Sequence, residues 1–150
     1  MVGLRMAAAI AVTALLTACA GNDGDASGDD IVVGGMLGNA FRSEPIQQGD
    51  ADVALADLLK TPLGREMTEQ DRRAAALAWR QALNKSGPGG RVAWRNRSSA
   101  ASGEVVPGTP YQVNSIVCRD YTHIVRIGEA EEAVRGSACR QQDGNWRPIV

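Results

Sequence analysis

Apolar and polar positions divide this chain into four stretches of different texture. An apolar run begins at Met6, is preceded by a single basic side chain, Arg5, and ends in Leu16-Thr17-Ala18-Cys19. Gly21 to Asp30 (GNDGDASGDD) then carries no apolar side chain larger than Ala26. It cannot bury enough surface to offset the entropy of ordering, and reads as a flexible, self-repelling tether. Ile31 to Phe41 (IVVGGMLGNAF) is a short apolar patch containing Gly34, Gly35 and Gly38. The step from Gly34 to Gly38 is small-xxx-small, which lets helices approach closely in lipid; a buried loop is the plainer reading.

Downstream, the period becomes helical. Asp52 to Leu59 predicts a short helix, capped by Asp50 or Asp52 and ended before Pro62. A longer helix starts at Thr68, whose hydroxyl suits an N-cap, with Glu69 and Asp71 in the first turn where carboxylates favour the helix dipole. Ala75, Ala78, Trp79 and Ala82 recur on one face, with Arg72, Arg73 and Arg80 largely off it. The helix stops near Asn84, before the turn residues Ser86-Gly87-Pro88-Gly89-Gly90.

From Arg91 the pattern alternates as strands do. Arg91–Arg95 places Val92 and Trp94 on one face. Gly103–Val106 is a second strand, closed by Pro107-Gly108, and Tyr111–Ile127 a longer one that bends or bulges near Asn114-Ser115. Ala130–Gln141 and Trp146–Val150 complete a sheet of about five antiparallel strands. The expected architecture is α+β: one main helix packed on a small antiparallel sheet.

One hairpin carries a specific register. If Gly128-Glu129 is a two-residue loop with glycine first, paired residue numbers sum to 257. Arg126 then faces Glu131, Ile124 faces Ala133, and Cys118 faces Cys139. Ile127 and Ala130 close the hairpin as a hydrogen-bonded pair, so alternation puts the cysteines at a non-hydrogen-bonded pair, ~4.5 Å apart at Cα. That is the short end of the disulfide range, and such a bridge would staple the domain; two free, buried thiols are the alternative. Tyr121, Val125, Ile127, Val134 and Ala138 face a core, with Gly136 opposite the Tyr121 ring.

The N-terminal run is too short for the ~20 residues of a spanning helix. A basic residue, an apolar stretch and small residues before a cysteine form a secretory signal of the bacterial lipoprotein kind. Residues 1–18 are thus expected to be removed and Cys19 to carry acyl groups, palmitate among them, two or more chains being enough for stable attachment. The alternatives are an ordinary signal peptide with a chance cysteine, or a buried helix. Removal would leave 132 of 150 residues, enough for one domain. The expected divisions are 1–18 signal peptide, 19–30 acidic tether, 31–58 apolar glycine-containing segment and short helix, and 59–150 α+β domain.

Charge is unevenly distributed. Residues 19–60 hold two basic groups against eight acidic ones (−6), and residues 61–150 thirteen against nine (+4), twelve of the thirteen being arginine. Clustered positive charge attracts anionic envelope polymers, although the interspersed acidic residues equally fit a mixed, solvated surface. With Cys19 lipidated, Cys118 and Cys139 remain for an oxidising compartment, where disulfides persist.

The residues for catalysis or metal binding are sparse. His123 is the only histidine and has no second histidine or spare cysteine beside it, so no zinc site is expected. No nucleophile-elbow pattern occurs, and Asp120, Glu129, Glu131 and Glu132 read as strand and turn surface. Gly87, Gly89 and Gly90 precede a strand and suit a turn better than a phosphate loop. No catalytic residue, metal or cofactor is therefore assigned. Trp94, Tyr111, Tyr121 and Trp146 are either core or a binding surface, since aromatics beside arginines are enriched at interfaces. Trp94 and Tyr121 suit the core, Trp146 is open, and the candidate interaction surface is Trp146, Arg147 and Arg119.

The C-terminal strings resemble a known family. Val92-Ala93-Trp94-Arg95-Asn96, Gly103-Glu104-Val105-Val106-Pro107 and Tyr111 are similar to the rickettsial-type seventeen-kilodalton surface antigen family. So are Cys118-Arg119-Asp120-Tyr121, the run Gly136-Ser137-Ala138-Cys139-Arg140-Gln141-Gln142-Asp143-Gly144-Asn145-Trp146, and the upstream Leu63–Arg72. The similarity covers roughly residues 59 to 150. It implies an outer-membrane lipoprotein of Gram-negative bacteria without established enzymatic activity. Members commonly carry a long glycine-zipper hairpin before this domain, of which only Val33–Gly38 remains here.

The expected protein is a non-enzymatic structural or interaction module of the envelope, at the outer membrane. Its expected partners are the bilayer, through the acyl anchor, and anionic envelope polymers or an outer-membrane protein, with no nucleic acid. The alternative is a specific binding module, either an inhibitor of an envelope-directed enzyme or an accessory of an outer-membrane assembly.

Overall fold

A computed structural model describes residues 31–33 by their backbone, and residues 45–85 and 87–149 in full. The signal peptide, Cys19, the tether and the Gly34–Gly38 step lie outside the described residues. The elements are β1 (Ile31–Val33), α1 (Gln48–Ala54), a 3-10 turn (Leu58–Lys60), α2 (Pro62–Glu66), α3 (Glu69–Lys85), β2 (Val92–Asn96), β3 (Ser102–Val113), β4 (Ile116–Ile127), β5 (Ala130–Arg140) and β6 (Trp146–Ile149). The strands form one antiparallel sheet in chain order, β1 to β6, and α3 packs on one of its faces. The class is α+β, as expected.

Small residues let α3 lie close to the sheet. Ala74, Ala75, Ala78 and Ala82 are fully buried, and Trp79 and Leu83 nearly so. The strands meet them with alternate residues: Val92 and Trp94, then Gly103 and Val105, then Tyr121, His123 and Val125, then Ala138. The helix start is held by a reciprocal box. Thr68 N–H donates to Asp71 Oδ2 at 2.8 Å, and Asp71 N–H donates back to Thr68 Oγ1 at 3.2 Å.

The hairpin register is the one expected from the Gly128 turn. Cys118 pairs with Cys139, Ile124 with Ala133, Arg126 with Glu131 and Ile127 with Ala130. Gly128 has φ +60°. A Cβ on Gly136 would stand 2.7 Å from Tyr121 Oη, so only glycine leaves the ring its place.

Four expectations need correction. The short helix is Gln48–Ala54, starting before Asp52, and its N-cap Gln47 makes no side-chain cap bond. Pro62 opens α2 instead of marking a stop: proline suits a first helical position, and Thr61 Oγ1 accepts from Gly64 N–H at 3.0 Å. Pro107-Gly108 does not close a strand, because β3 runs through it with a register shift between Pro107 and Pro110. Proline is tolerated at such an irregularity. Asn114-Ser115 is a hairpin turn instead of a bend, with Asn114 at φ +56° joining Val113 to its partner Ile116. In addition, the apolar segment contributes a sixth strand, β1, which pairs Ile31 with Asn96 and Val33 with Trp94.

Candidate functional site

Cys118 and Cys139 form a disulfide with Cα atoms 4.0 Å apart. In the β4–β5 pairing the cysteines stand opposite each other, and the bridge lies on the sheet face away from α3.

The structure places the three predicted surface residues differently. Arg119 is buried. Its Nη1 donates to the Leu83 carbonyl at 2.8 Å, and its Nη2 and Nε donate to the Gly108 carbonyl at 2.8 and 3.2 Å. A cation at the C-terminal carbonyls of α3 satisfies groups the helix leaves open and suits the negative end of its dipole. Trp146 is buried too, and its indole N–H donates to Asn84 Oδ1 at 2.9 Å in the last turn of α3. Arg147, the next residue, is exposed. Arg119 and Trp146 thus fasten the helix end to the sheet, and Arg147 alone of the three offers its side chain to solvent.

His123 lies in the core, 1 % exposed. Its Nε2 accepts from the Trp94 indole N–H at 3.2 Å, with the two rings edge to face. Burial pushes its pKa down to about 3, so the ring is neutral and sealed from solvent. Asp71, also buried, accepts from Thr68, Asn96 Nδ2 (2.7 Å) and Ser99 Oγ (2.5 Å). Burial pushes its carboxyl upward, but hydrogen bonds from Ser99, Thr68 and Asn96 outweigh this and hold it below the ordinary range. Both groups are engaged in structural contacts. Among the described residues, no group of three or more His, Cys, Asp or Glu is placed to hold a metal, and no helix is long and apolar enough to cross a membrane.

The face of the sheet opposite α3 presents the most distinctive surface. Tyr111 pairs with Cys118, Val113 with Ile116, Cys118 with Cys139, Cys139 with Arg147, and Ser137 with Ile149. Cross-strand partners share a face, so Tyr111, Val113, Ile116, the disulfide and Arg147 gather at one end of it, while Ile149 lies in the next row, beyond Asp120 and Ser137. Tyr111, Val113, Ile116 and Ile149 are 39 to 50 % exposed. Among the described residues the only other exposed large apolar side chain is Val53. Singly such residues are ordinary, but contiguous apolar patches mark interaction sites. Tyr111 Oη and Ser137 Oγ both donate to Asp120 Oδ1, at 3.2 and 2.6 Å, which fixes the polar border of the patch. Of the four aromatics considered from the sequence, Tyr111 is the one left at the surface. Val113 and Ile116 flank the Asn114-Ser115 turn, whereas a single strand through Asn114 places them in mid-strand; the alternation on either side of Asn114 is the sequence signal that identifies them.

The family described as 17 kDa outer membrane surface antigen matches residues 81–147, from the end of α3 into β6. A 17 kDa surface antigen of Rickettsia bellii (strain RML369-C) is 32 % identical over 143 residues, covering 90 % of each chain. Another, from Rickettsia conorii (strain ATCC VR-613 / Malish 7), is 42 % identical over 85 residues, 55 % of this chain and 53 % of its own. The one from Rickettsia prowazekii (strain Madrid E) is 40 % identical over 83 residues, 54 % of this chain and 52 % of its own. No solved structure matches the chain.

Proposed function

The chain belongs to the 17 kDa surface antigen family, and on that premise we propose that it is an outer-membrane lipoprotein acting as a non-enzymatic structural or interaction module of the Gram-negative envelope. Cys19 is its lipidated residue, and residues 1–18 are the signal removed on export. The observation that carries the interaction role is the exposed apolar group of Tyr111, Val113 and Ile116 at the β3–β4 turn on the helix-free face. The Leu16–Cys19 string supports the anchor, and membership of an outer membrane surface antigen family supports the outer membrane. Cell fractionation tests this reading. Replacing Cys19 by Ala should move the protein from the membrane to the soluble fraction, and unchanged membrane retention would defeat the anchor.

The same patch favours a second reading, a dedicated protein-binding module serving an outer-membrane assembly or inhibiting an envelope-directed enzyme. A photo-cross-linker at Val113 separates the two. One dominant protein adduct indicates a dedicated partner; a broad set of abundant envelope components indicates the generic structural role.

A further inference from the structure

The helix-free face has an opposite end of different composition. Arg95 pairs with Ser102, and Ser102 pairs with Arg126, so two arginines flank a small hydroxyl in one row across β2, β3 and β4. Side chains in such a row rise from the same face, and serine is too small to fill the space between two guanidinium groups. The result is a groove of ≈ 370 Å³, to which exposed Arg97 also contributes. The groove's one carboxylate, Glu104, is ion-paired with Arg91 and lies 4.0 Å from Arg126 Nη2. Arg126 also pairs with Glu131 at 2.5 Å. Arg95 and Arg97 make no ion pair with an acidic side chain among the described residues. The groove therefore has an excess of planar, multi-donor cations around an open seat, an arrangement suited to the oxygens of a phosphate.

We infer that Arg95, Arg97, Arg126 and Ser102 form a phosphate-binding groove whose occupant is the headgroup of an anionic lipid. Arg95 and Arg97 supply the uncommitted charge, Ser102 a hydroxyl donor, and Arg126, whose Nε is paired with Glu131, a third guanidinium. The placement of the chain favours a lipid source. Val32 pairs with Arg95, so the chain enters the sheet beside the groove. Cys19 is twelve residues before Ile31, a span of at most ~40 Å. This step rests on the reading of Cys19 as the membrane anchor. With that anchor in place the groove is held within reach of headgroups, and the contact would orient the domain on the bilayer.

The test uses the mature chain, residues 19–150, carrying Cys19→Ala, so that neither acyl insertion nor the apolar signal run contributes. This chain should co-sediment with vesicles containing phosphatidylglycerol and much less with phosphatidylcholine alone. Adding Arg95→Gln and Arg97→Gln should weaken that binding about tenfold or more, the loss expected of charge-assisted contacts, with the melting temperature unchanged. Equal binding by the double variant would overturn the proposal. So would binding that appears only when Asp23, Asp25, Asp29 and Asp30 are replaced by Asn, since the chain's own acidic segment would then hold the groove. A shift of the Ser102 amide resonance with inorganic phosphate, without vesicle binding, would overturn the assignment to lipid and indicate a soluble phosphate ligand. Failure of the anchor is read separately, from fractionation of the Cys19→Ala protein in cells.

Discussion

Asn96 Nδ2 donates to Asp71 Oδ1 at 2.7 Å, joining the last residue of β2 to the first turn of α3. Asn96 Oδ1 accepts from the Ser98 amide at 3.0 Å, and Ser99 reaches the same carboxylate oxygen as Asn96. The loop between β2 and β3 is thus folded around one buried charge that also caps the helix.

Asp71→Asn should destabilise the domain by about 2–3 kcal/mol, because hydrogen bonds to a charged acceptor are lost or must be re-formed with a neutral amide. Asp71 has its folded pKa below its ordinary value of 3.8. Its contribution is therefore fully present above about pH 4 and is lost as pH falls through the folded pKa. Urea unfolding at neutral pH and below pH 4 checks both statements, and the variant should differ less from the parent in acid.

His123 acts over a different window. Its pKa is 6.5 ordinarily and about 3 when folded, so below pH 6.5 the unfolded chain takes up a proton that the folded one refuses. Stability should fall with decreasing pH by up to about 1.4 kcal/mol per unit until about pH 3. His123→Gln keeps an acceptor for Trp94 and should flatten this slope. An unchanged slope between pH 6 and 4 would show that the histidine is not the cause.

Gly103 and Gly136 should differ in their tolerance of alanine. At Gly136 the added Cβ meets the hydroxyl end of Tyr121 at 2.7 Å, and ring movement can absorb part of the clash. At Gly103 it would stand 2.2 Å from the Ile124 carbonyl oxygen on the neighbouring strand, which only a shift of the sheet relieves. Gly136→Ala should cost about 1–3 kcal/mol, and Gly103→Ala more than that. Thermal unfolding of the two variants gives the order.

Reduction of Cys118–Cys139 should lower stability by about 3 kcal/mol, the chain-entropy value for a loop closed across 21 residues. Calorimetry with and without reductant measures it, and Cys118→Ala with Cys139→Ala should match the reduced protein.

Val113→Ser with Ile116→Ser should change stability by less than about 0.5 kcal/mol per site, because both side chains are nearly half exposed. The same pair of changes should abolish any saturable contact made through the patch. Comparing melting curves with cross-linking yield separates the two effects.

What the sequence made legible depended on distance along the chain. The β4–β5 register followed from one glycine turn, because pairing on both sides of a two-residue loop leaves no freedom. The face of α3 followed from its alanines and Trp79. Arg119 did not read as an interior residue, because the helix carbonyls that hold it belong to Ala82 and Leu83, 37 and 36 residues earlier. Trp146 depends in the same way on Asn84, 62 residues away. Strand β1 has its only partner beyond Arg91, so nothing local announces it. Asn114 lacked the glycine that usually signals a tight hairpin, although asparagine tolerates positive φ better than most residues.

The match between sheet order and chain order has a kinetic consequence. Each strand from β2 to β6 finds its partner in the strand just made or the next to come, so loop-closure entropy is small at every step and folding is expected to be fast for a β-rich domain. The Gly128 turn draws Cys118 and Cys139 together as its hairpin zips. Oxidation then locks a pairing already selected, and a chain emerging progressively from a pore would need little further search to complete its sheet.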